Sequence, residues 1–333
     1  MADVSRFERV GPGEDDFVST YLDALEDYQK EVAAHHTDGR LCRGFHKKTL
    51  AAAYGTFHAA QDLPSELRVG VGAVSESVPA VVRFSSGQSF AQPDFIPDIR
   101  GLAVKILDVK GQPLDGAPDG VQDLLAVNAN NHSIRDGETF ARLSLTATSP
   151  IKAAATASSL LSLSEQMRLA WEFSRLAGRT LLPLSRPSYF GAGPIAFGDI
   201  PAKFRWVPEN PPPGRLVWPG HDSQRRRFCQ DLMKGPLTFD LAVQLYVDEA
   251  VTPVEDLSVK WDEQLAPPRT VGTLHLPPVQ THSEFESACE QAEDLAFSPW
   301  NCLAVHKPLG NLQRIRRLAY AQSAARRGAR PRP

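Results

Sequence analysis

The chain has 333 residues, of which 42% are hydrophobic and 23% charged, a composition typical of a soluble globular protein. Its 36 basic and 39 acidic residues leave a formal charge of −3, so the overall balance does not indicate nucleic-acid binding. The four cysteines form no CxxC pair, and no apolar run reaches the ~18 residues that a membrane span needs. Because the N-terminus is polar and lacks a signal-peptide pattern, we expect a cytoplasmic protein.

The first predicted element is an amphipathic helix over residues 14–36, where apolar residues recur at helical intervals. From about residue 50 to residue 130 the sequence changes to short β-rich runs separated by Gly, Pro, Asp and Ser. These runs predict strands at 67–74, 80–86, 101–109 and 123–130.

A helical block follows over residues 137–185 and ends where prolines interrupt the pattern. Strand character returns at 239–248 and 270–278, and two helices are predicted around 282–297 and 311–327. Strands interrupted by a helical block indicate an α+β fold with a closed or nearly closed antiparallel sheet.

The last predicted helix is strongly basic. No Asp or Glu follows Asp294, while seven arginines fall between Arg314 and Arg332. Arg316 and Tyr320 lie four residues apart and share one face of the helix. A neighbouring cation favours the phenolate form of tyrosine, and a phenolate is a hard anionic ligand for ferric iron. The alternative is a solvated terminus with weak affinity for anions.

Six short motifs stand in a fixed order along the chain, mostly within residues 40–140 and 295–327. They are Arg43-x-x-His46, Tyr54-Gly55, Val82-Arg83-Phe84-Ser85, Arg100-Gly101-x-Ala103-x-Lys105, Ile134-Arg135-Asp136 and Arg316-x-x-x-Tyr320. This order resembles the catalase superfamily. It is most similar to the small catalase-like haem peroxidases and allene oxide synthases.

The resemblance implies a single haem domain over residues 1–333, built as a closed antiparallel β-barrel with surrounding helices. Strands and inserted helices would occupy about 40–280, and the haem-ligand helix about 311–327. Tyr320 would bind the ferric iron of haem b, with Arg316 holding it as phenolate. His46 would be the distal general acid–base group, and Ser85 would orient it. Phe140 would lie near the porphyrin on the distal side.

Three arginines match family positions that pair with the haem propionates, namely Arg43, Arg83 and Arg327. The planar guanidinium suits carboxylates, which gives the basic C-terminal helix a specific partner. Arg100 and Lys105 also stand in a family motif, and for these two we favour a structural role at a turn and a strand edge.

Asn128 is the candidate for the distal amide of the catalytic site. The spacing from Asp123 to Asp136 puts Val127 at the family position and Asn128 one residue later. Asn128 would then lie on the opposite face of the strand unless a bulge re-aims it.

The reaction that we predict is reduction of organic hydroperoxides and hydrogen peroxide with an electron donor and weak or no catalase activity. The chain is shorter than large catalases, which suggests a more open distal pocket. Phe45 precedes His46 and could narrow that pocket. A fatty-acid hydroperoxide isomerase or dehydratase and a non-enzymatic haem-binding protein are the alternatives. Homodimers are common among small barrel enzymes of this kind, and the sequence leaves the oligomeric state open.

Overall fold

The computed structural model describes residues 4–34, 43–89, 92–130, 134–146, 149–212 and 216–333. Its helices are α1 (Glu14–Ala34), α2 (Gly137–Ser144), α3 (Pro150–Leu160), α4 (Leu163–Arg179), α5 (Ser223–Lys234), α6 (His282–Glu293) and α7 (Asn311–Arg326). Its strands are β1 (Thr49–Ala59), β2 (Val78–Ser86), β3 (Arg100–Leu107), β4 (Val121–Val127), β5 (Tyr189–Gly191), β6 (Ile195–Phe197), β7 (Ile200–Pro208), β8 (Leu237–Leu245) and β9 (Arg269–Leu276).

In this described part of the chain, eight of the strands form a closed antiparallel barrel. Their order around the ring is β5-β4-β3-β2-β1-β9-β8-β7, and β5 pairs with β7 to close it. Strand β6 pairs with β7 outside the ring. Closure removes the unpaired edges that an open sheet would expose. The predicted α+β fold with a closed antiparallel barrel is therefore confirmed.

Strands β2, β3 and β4 have an inner and an outer face because side chains alternate along a strand. Val82, Phe84 and Leu102 belong to the main core inside the barrel. The alternate positions point outwards, and the pairing places Ser85 opposite Gly101 on this outer face. The candidate site therefore lies outside the barrel, between the sheet and the helices that cover it.

Helices α1, α2 and α7 pack together over the outer side of the barrel. Their shared apolar cluster consists of Val18, Tyr21, Leu25, Tyr28, Val32, Ala141 and Ile315. The residues from α1 in this cluster fall three or four positions apart, as the periodicity of the first predicted helix required. A side-chain hydrogen bond of 2.9 Å from Gln29 Nε2 to Ser323 Oγ also joins α1 to α7.

The N-terminal end of α7 is anchored by ionic contacts. Arg314 donates to Glu8 Oε1 at 2.8 Å, to Glu14 Oε2 at 2.9 Å and to Glu255 Oε1 at 3.1 Å. The backbone amide of Asn311 donates to Glu255 Oε2 at 2.7 Å, where the helix dipole favours a carboxylate. These contacts fix the helix that carries the predicted iron ligand.

The predicted strand at 67–74 is wrong. This segment forms two short 3-10 turns, Ser65–Leu67 and Gly70–Ala73. Gly70 has a φ of +52°, and the amide of Val71 donates to His306 Nε2 at 3.0 Å rather than to a neighbouring strand. The Val/Gly run therefore packs against a buried histidine instead of pairing in the sheet.

Several elements were not predicted from the sequence. They are β1, whose run of alanines has little β-propensity, the short strands β5 to β7, and α5. The other predicted strands and helices are present within a few residues of the expected bounds, and positions 35–36 of the first helix lie outside the described residues. None of the helices in the described ranges is long and apolar enough to cross a membrane.

Candidate active site

His46 lies just before β1 in a left-handed backbone conformation, with a φ of +53°. A positive φ is uncommon for a residue other than glycine and costs free energy. Hydrogen bonds hold this conformation from both sides of the residue. The amide of His46 donates to Gly87 O at 3.1 Å, and its carbonyl accepts from Arg83 Nη2 at 2.9 Å. The strain and the clamp together mark His46 as a positioned residue.

The His46 ring contacts Ser85 on the outer face of β2. The distance from His46 Nδ1 to Ser85 Oγ is 3.0 Å. When Nδ1 carries the proton and donates it to Ser85, Nε2 is left as a proton acceptor. The predicted orienting role of Ser85 agrees with this geometry.

Gly101 makes room for the His46–Ser85 pair. It pairs directly with Ser85 across β2 and β3. A Cβ atom at this position would lie 2.7 Å from His46 Nδ1 and 2.8 Å from Ser85 Oγ. Only glycine allows the ring to approach the sheet this closely. The sequence contained the glycine within a motif, but nothing in its local pattern showed what it faces.

His46 is neutral across the physiological range. Its burial, together with the charges of Arg83, Arg316 and Arg43, lowers its pKa from 6.5 to about 3. Phe45, next to His46 in the chain, packs against the apolar cluster to which α7 contributes Ile315, so the two predicted halves of the site lie near each other. A neutral imidazole can accept a proton, as a general base must.

On α7, Arg316 and Tyr320 contact each other as their spacing predicted. Arg316 Nη2 donates to Tyr320 Oη at 3.0 Å. The other terminal nitrogen, Nη1, donates to Gln313 Oε1 at 2.9 Å, which orients the guanidinium. Gln313 is buried, and its carbonyl accepts from Trp300 Nε1 at 2.7 Å. The arginine is thus aimed at the phenol oxygen by a buried partner.

The three arginines expected to bind propionates converge on one residue, Glu293 at the end of α6. Arg43 pairs with the Glu293 carboxylate, and Arg83 Nη2 lies 3.6 Å from Oε1 of the same group. Arg327 Nη1 donates to the carbonyl of Glu293 at 3.4 Å. Burial and the neighbouring Arg43 lower the pKa of Arg83 to about 9, which leaves it charged at neutral pH. The structure therefore gathers these guanidiniums in one place.

Phe140 is half-buried on α2, beside Ala141 of the cluster shared with α1 and α7. The position of this helix is set at its start. Asp136 caps the helix by accepting from the Thr139 amide at 2.8 Å, and the Gly137 amide donates to Asn311 Oδ1 at 3.1 Å. Phe140 is therefore carried by a helix tied to α7.

Asn128, the candidate for the distal amide, lies one residue beyond the end of β4. Its Oδ1 accepts from the amide of Arg100 at 2.9 Å, and its own amide donates to the Arg100 carbonyl at 2.9 Å. The pairing of β3 with β4 runs from Gly101–Val127 without a bulge. Val127 is consequently the residue on the face of Gly101, because nothing shifts the alternation.

Arg100 and Lys105 both make structural contacts, but Lys105 lies within β3, which is paired on both sides, and not at the strand edge that was predicted. Arg100 donates to Ser86 Oγ at 3.1 Å and to the Asp94 carbonyl at 2.5 Å. Lys105 Nζ lies 2.7 Å from Asp123 Oδ1 in an ion pair whose side chains are both 0% exposed. Phe45 stacks on Tyr28 of α1, with ring centroids 5.2 Å apart.

The residues present fit haem b. The grouped guanidiniums suit the two propionates, and a phenol that accepts a hydrogen bond from an arginine suits ferric iron. A neutral histidine held against the sheet by Gly101 and Ser85 suits a distal base. Sequence reasoning missed Glu293 and Thr49, since neither belongs to a motif that was recognised.

Comparison with solved structures shows a similarity in fold. A bacterial catalase superposes with a TM-score of 0.64 at 18% identity, covering 86% of this chain and 58% of that protein. A fungal catalase superposes with a TM-score of 0.64 at 17% identity, covering 86% of this chain and 59% of that protein. This chain thus spans less than two thirds of the length of those catalases. No family model and no curated protein matches the sequence. The chain has the catalase-like fold, a closed antiparallel β-barrel with helices packed against it.

Proposed function

We propose that this protein is a haem-dependent peroxidase of the small catalase-like type, which reduces hydrogen peroxide and organic hydroperoxides with an electron donor. One observation carries the proposal. The clamped His46 follows Phe45, which packs against the same apolar cluster as Ile315 and Ala319 of α7, the helix that carries the Arg316–Tyr320 pair.

The residues that would hold haem b lie on α7 and beside the barrel. Tyr320 would bind the iron through its phenol oxygen, and the hydrogen bond from Arg316 would hold that oxygen in place. Arg43, Arg83 and Arg327 would bind the two propionates by charge-assisted hydrogen bonds. Haem b supplies, when bound, the redox chemistry that divides the O–O bond and passes on electrons from a donor.

His46 would move the proton in this reaction. With Nδ1 held by Ser85, Nε2 can take a proton from one peroxide oxygen and return it to the oxygen that departs. General acid–base catalysis of this kind is typically worth about 10²–10⁴-fold in rate. The pKa of about 3 keeps the acceptor form populated at every physiological pH.

Val127 supports a donor-dependent peroxidase rather than an efficient catalase. The outer face at Gly101 carries its aliphatic side chain, while the side-chain oxygen of Asn128 accepts from the backbone amide of Arg100. An aliphatic group offers no hydrogen bond to a second molecule of hydrogen peroxide, whereas it suits the alkyl part of an organic hydroperoxide.

The test begins with the absorption spectrum of the purified chain after supply of haem b, compared with Tyr320→Phe and His46→Ala. We expect a ferric Soret band that Tyr320→Phe shifts or abolishes. His46→Ala should retain the band and lose peroxide turnover. Tyr54→Phe is the matched control, because Tyr54 contacts Gln291 at the surface and lies outside the site.

Turnover is then measured with hydrogen peroxide, cumene hydroperoxide and a fatty-acid hydroperoxide, each with and without guaiacol as donor. Rapid oxygen release without donor would contradict the proposal in favour of a catalase. Loss of a fatty-acid hydroperoxide without donor would instead indicate an isomerase or dehydratase. A Soret band without any turnover would indicate a non-enzymatic haem-binding protein. A colourless wild type would refute the haem site itself.

A further inference from the structure

Glu293 places a carboxylate in the middle of the arginine cluster. Its Oε2 accepts from Arg43 and its Oε1 accepts from the hydroxyl of Thr49. Oε1 also lies 3.6 Å from Arg83 Nη2, and the carbonyl of Glu293 accepts from Arg327 at 3.4 Å. Glu293 thus contacts all three arginines, two through its carboxylate and Arg327 through its backbone carbonyl.

The same contacts continue to the backbone of His46. Arg83 Nε donates to Thr49 Oγ1 at 2.7 Å, so Thr49 joins the arginine to Glu293. Arg83 Nη2 then donates to the carbonyls of His46 at 2.9 Å and of Lys47 at 3.1 Å. Because His46 has a φ of +53°, its conformation depends on such external contacts.

The charge of the cluster matches the proposed ligand. Three guanidiniums and one carboxylate sum to +2, since Glu293 is ionised at neutral pH. Burial alone would raise its pKa, but Arg83 and Arg43 outweigh burial and bring the pKa down to about 2. The two propionates of haem b carry −2. After Glu293 has neutralised one arginine, the cluster therefore still carries the +2 charge that balances the two propionates.

We propose that Glu293 is a positioning residue that holds Arg43 and Arg83 in place and, through Thr49 and Arg83, fixes the backbone of His46. The resemblance to catalases assigned the arginines but gave no function to this carboxylate. The inference rests on the proposed haem site for its chemical purpose. The contacts that connect Glu293 to His46 through Thr49 and Arg83, in contrast, exist in the chain itself and can be tested without haem.

The experiment compares Glu293→Gln with Glu290→Gln, an exposed glutamate on the same helix. The first readout is hydrogen exchange of residues 44–50 in the haem-free protein. We expect faster exchange in Glu293→Gln and no change in Glu290→Gln. Thr49→Val interrupts the connection without removing the carboxylate, and we expect the same acceleration, which Thr49→Ser should reverse.

The second readout separates haem binding from the function of His46. Titration with haem b should give Glu293→Gln an affinity within a few-fold of the wild type, because its cluster stays positive. Its rate constant with hydrogen peroxide should fall by roughly 10- to 100-fold, as expected for a misplaced catalytic group. Exchange and rates that stay at wild-type values in both Glu293→Gln and Thr49→Val would overturn the inference even if haem binds. Failure of the wild type to bind haem would refute the proposed function and the charge matching, whatever the exchange shows.

Discussion

Replacing Gly101 by alanine tests whether the His46–Ser85 contact is needed for the reaction. The added methyl carbon would lie 2.7 Å from His46 Nδ1, 2.9 Å from His46 Cε1 and 2.8 Å from Ser85 Oγ. Ordinary contacts between such atoms are about 3.5–4.0 Å, so the overlap approaches 1 Å. Gly101 is paired on both sides, to Ser85 and to Val127, and its backbone cannot retreat. The histidine ring must therefore move.

We expect two measurable effects of Gly101→Ala. The free energy of unfolding should fall by about 1–3 kcal/mol, the usual cost of an extra methyl group in a packed site. In the haem-loaded protein, kcat/KM for hydrogen peroxide should fall by about 10²-fold, because a shift of about 1 Å in a catalytic group has this effect. Urea unfolding and a steady-state assay with guaiacol measure the two quantities.

Gly178→Ala is the matched control, since a Cβ at this exposed position in α4 meets no atom within 4 Å. That variant should keep full activity and gain up to about 1 kcal/mol in stability, because alanine is the better helix former. In a His46→Ala background, Gly101→Ala should have little further effect on the rate. Full activity of Gly101→Ala, or an equal loss in the His46→Ala background, would refute the argument from steric overlap.

Three further predictions concern charged groups. Because the pKa of His46 is lowered from 6.5 to about 3, the stopped-flow rate constant with peroxide should stay level below pH 6.5 and fall only towards pH 3; a step near pH 6.5 would contradict this. Lys105→Met should destabilise the protein by about 3–5 kcal/mol in urea unfolding, because it leaves the buried Asp123 without its cation, and Lys105→Met/Asp123→Leu should recover much of the loss. The lowered pKa of Glu293 means that it stabilises the fold above pH 4.5, and that this contribution is lost as the pH falls through about 2. Melting temperatures of Glu293→Gln should therefore decline less than those of the wild type across this acid range, and parallel curves would argue against the ion pairs.

Local pattern determined much of the fold. The α1 helix follows from apolar spacing, and strands β2, β3, β4, β8 and β9 follow from β-rich runs. The local sequence pattern did not predict the structure of segments whose contacts lie far away in the sequence. The alanine-rich strand β1 is stabilised by pairing with β2 and β9, while the segment at 67–74 gives an amide to His306 instead of a strand. Neither outcome is encoded in the residues of the segment itself.

The sequence by itself determined which chemical groups the site contains. The four-residue spacing of Arg316 and Tyr320 put them on one helical face, and the alternation in β2 put Arg83 and Ser85 on one side of a strand. The sequence left Asn128 as the candidate for the distal amide although strict counting puts Val127 at the family position, and the register of β3 and β4 pairs Val127 with Gly101.

Only the tertiary structure decided how these groups meet. The left-handed conformation of His46, the closeness of Gly101 to its ring and the contacts of Glu293 with Arg43 and Thr49 all join segments far apart in the chain. The distance between the outer face of the barrel and α7 depends on how the barrel closes and on every element that packs between them. A sequence pattern specifies the face on which a side chain lies, whereas the packing of the whole domain specifies what that side chain touches.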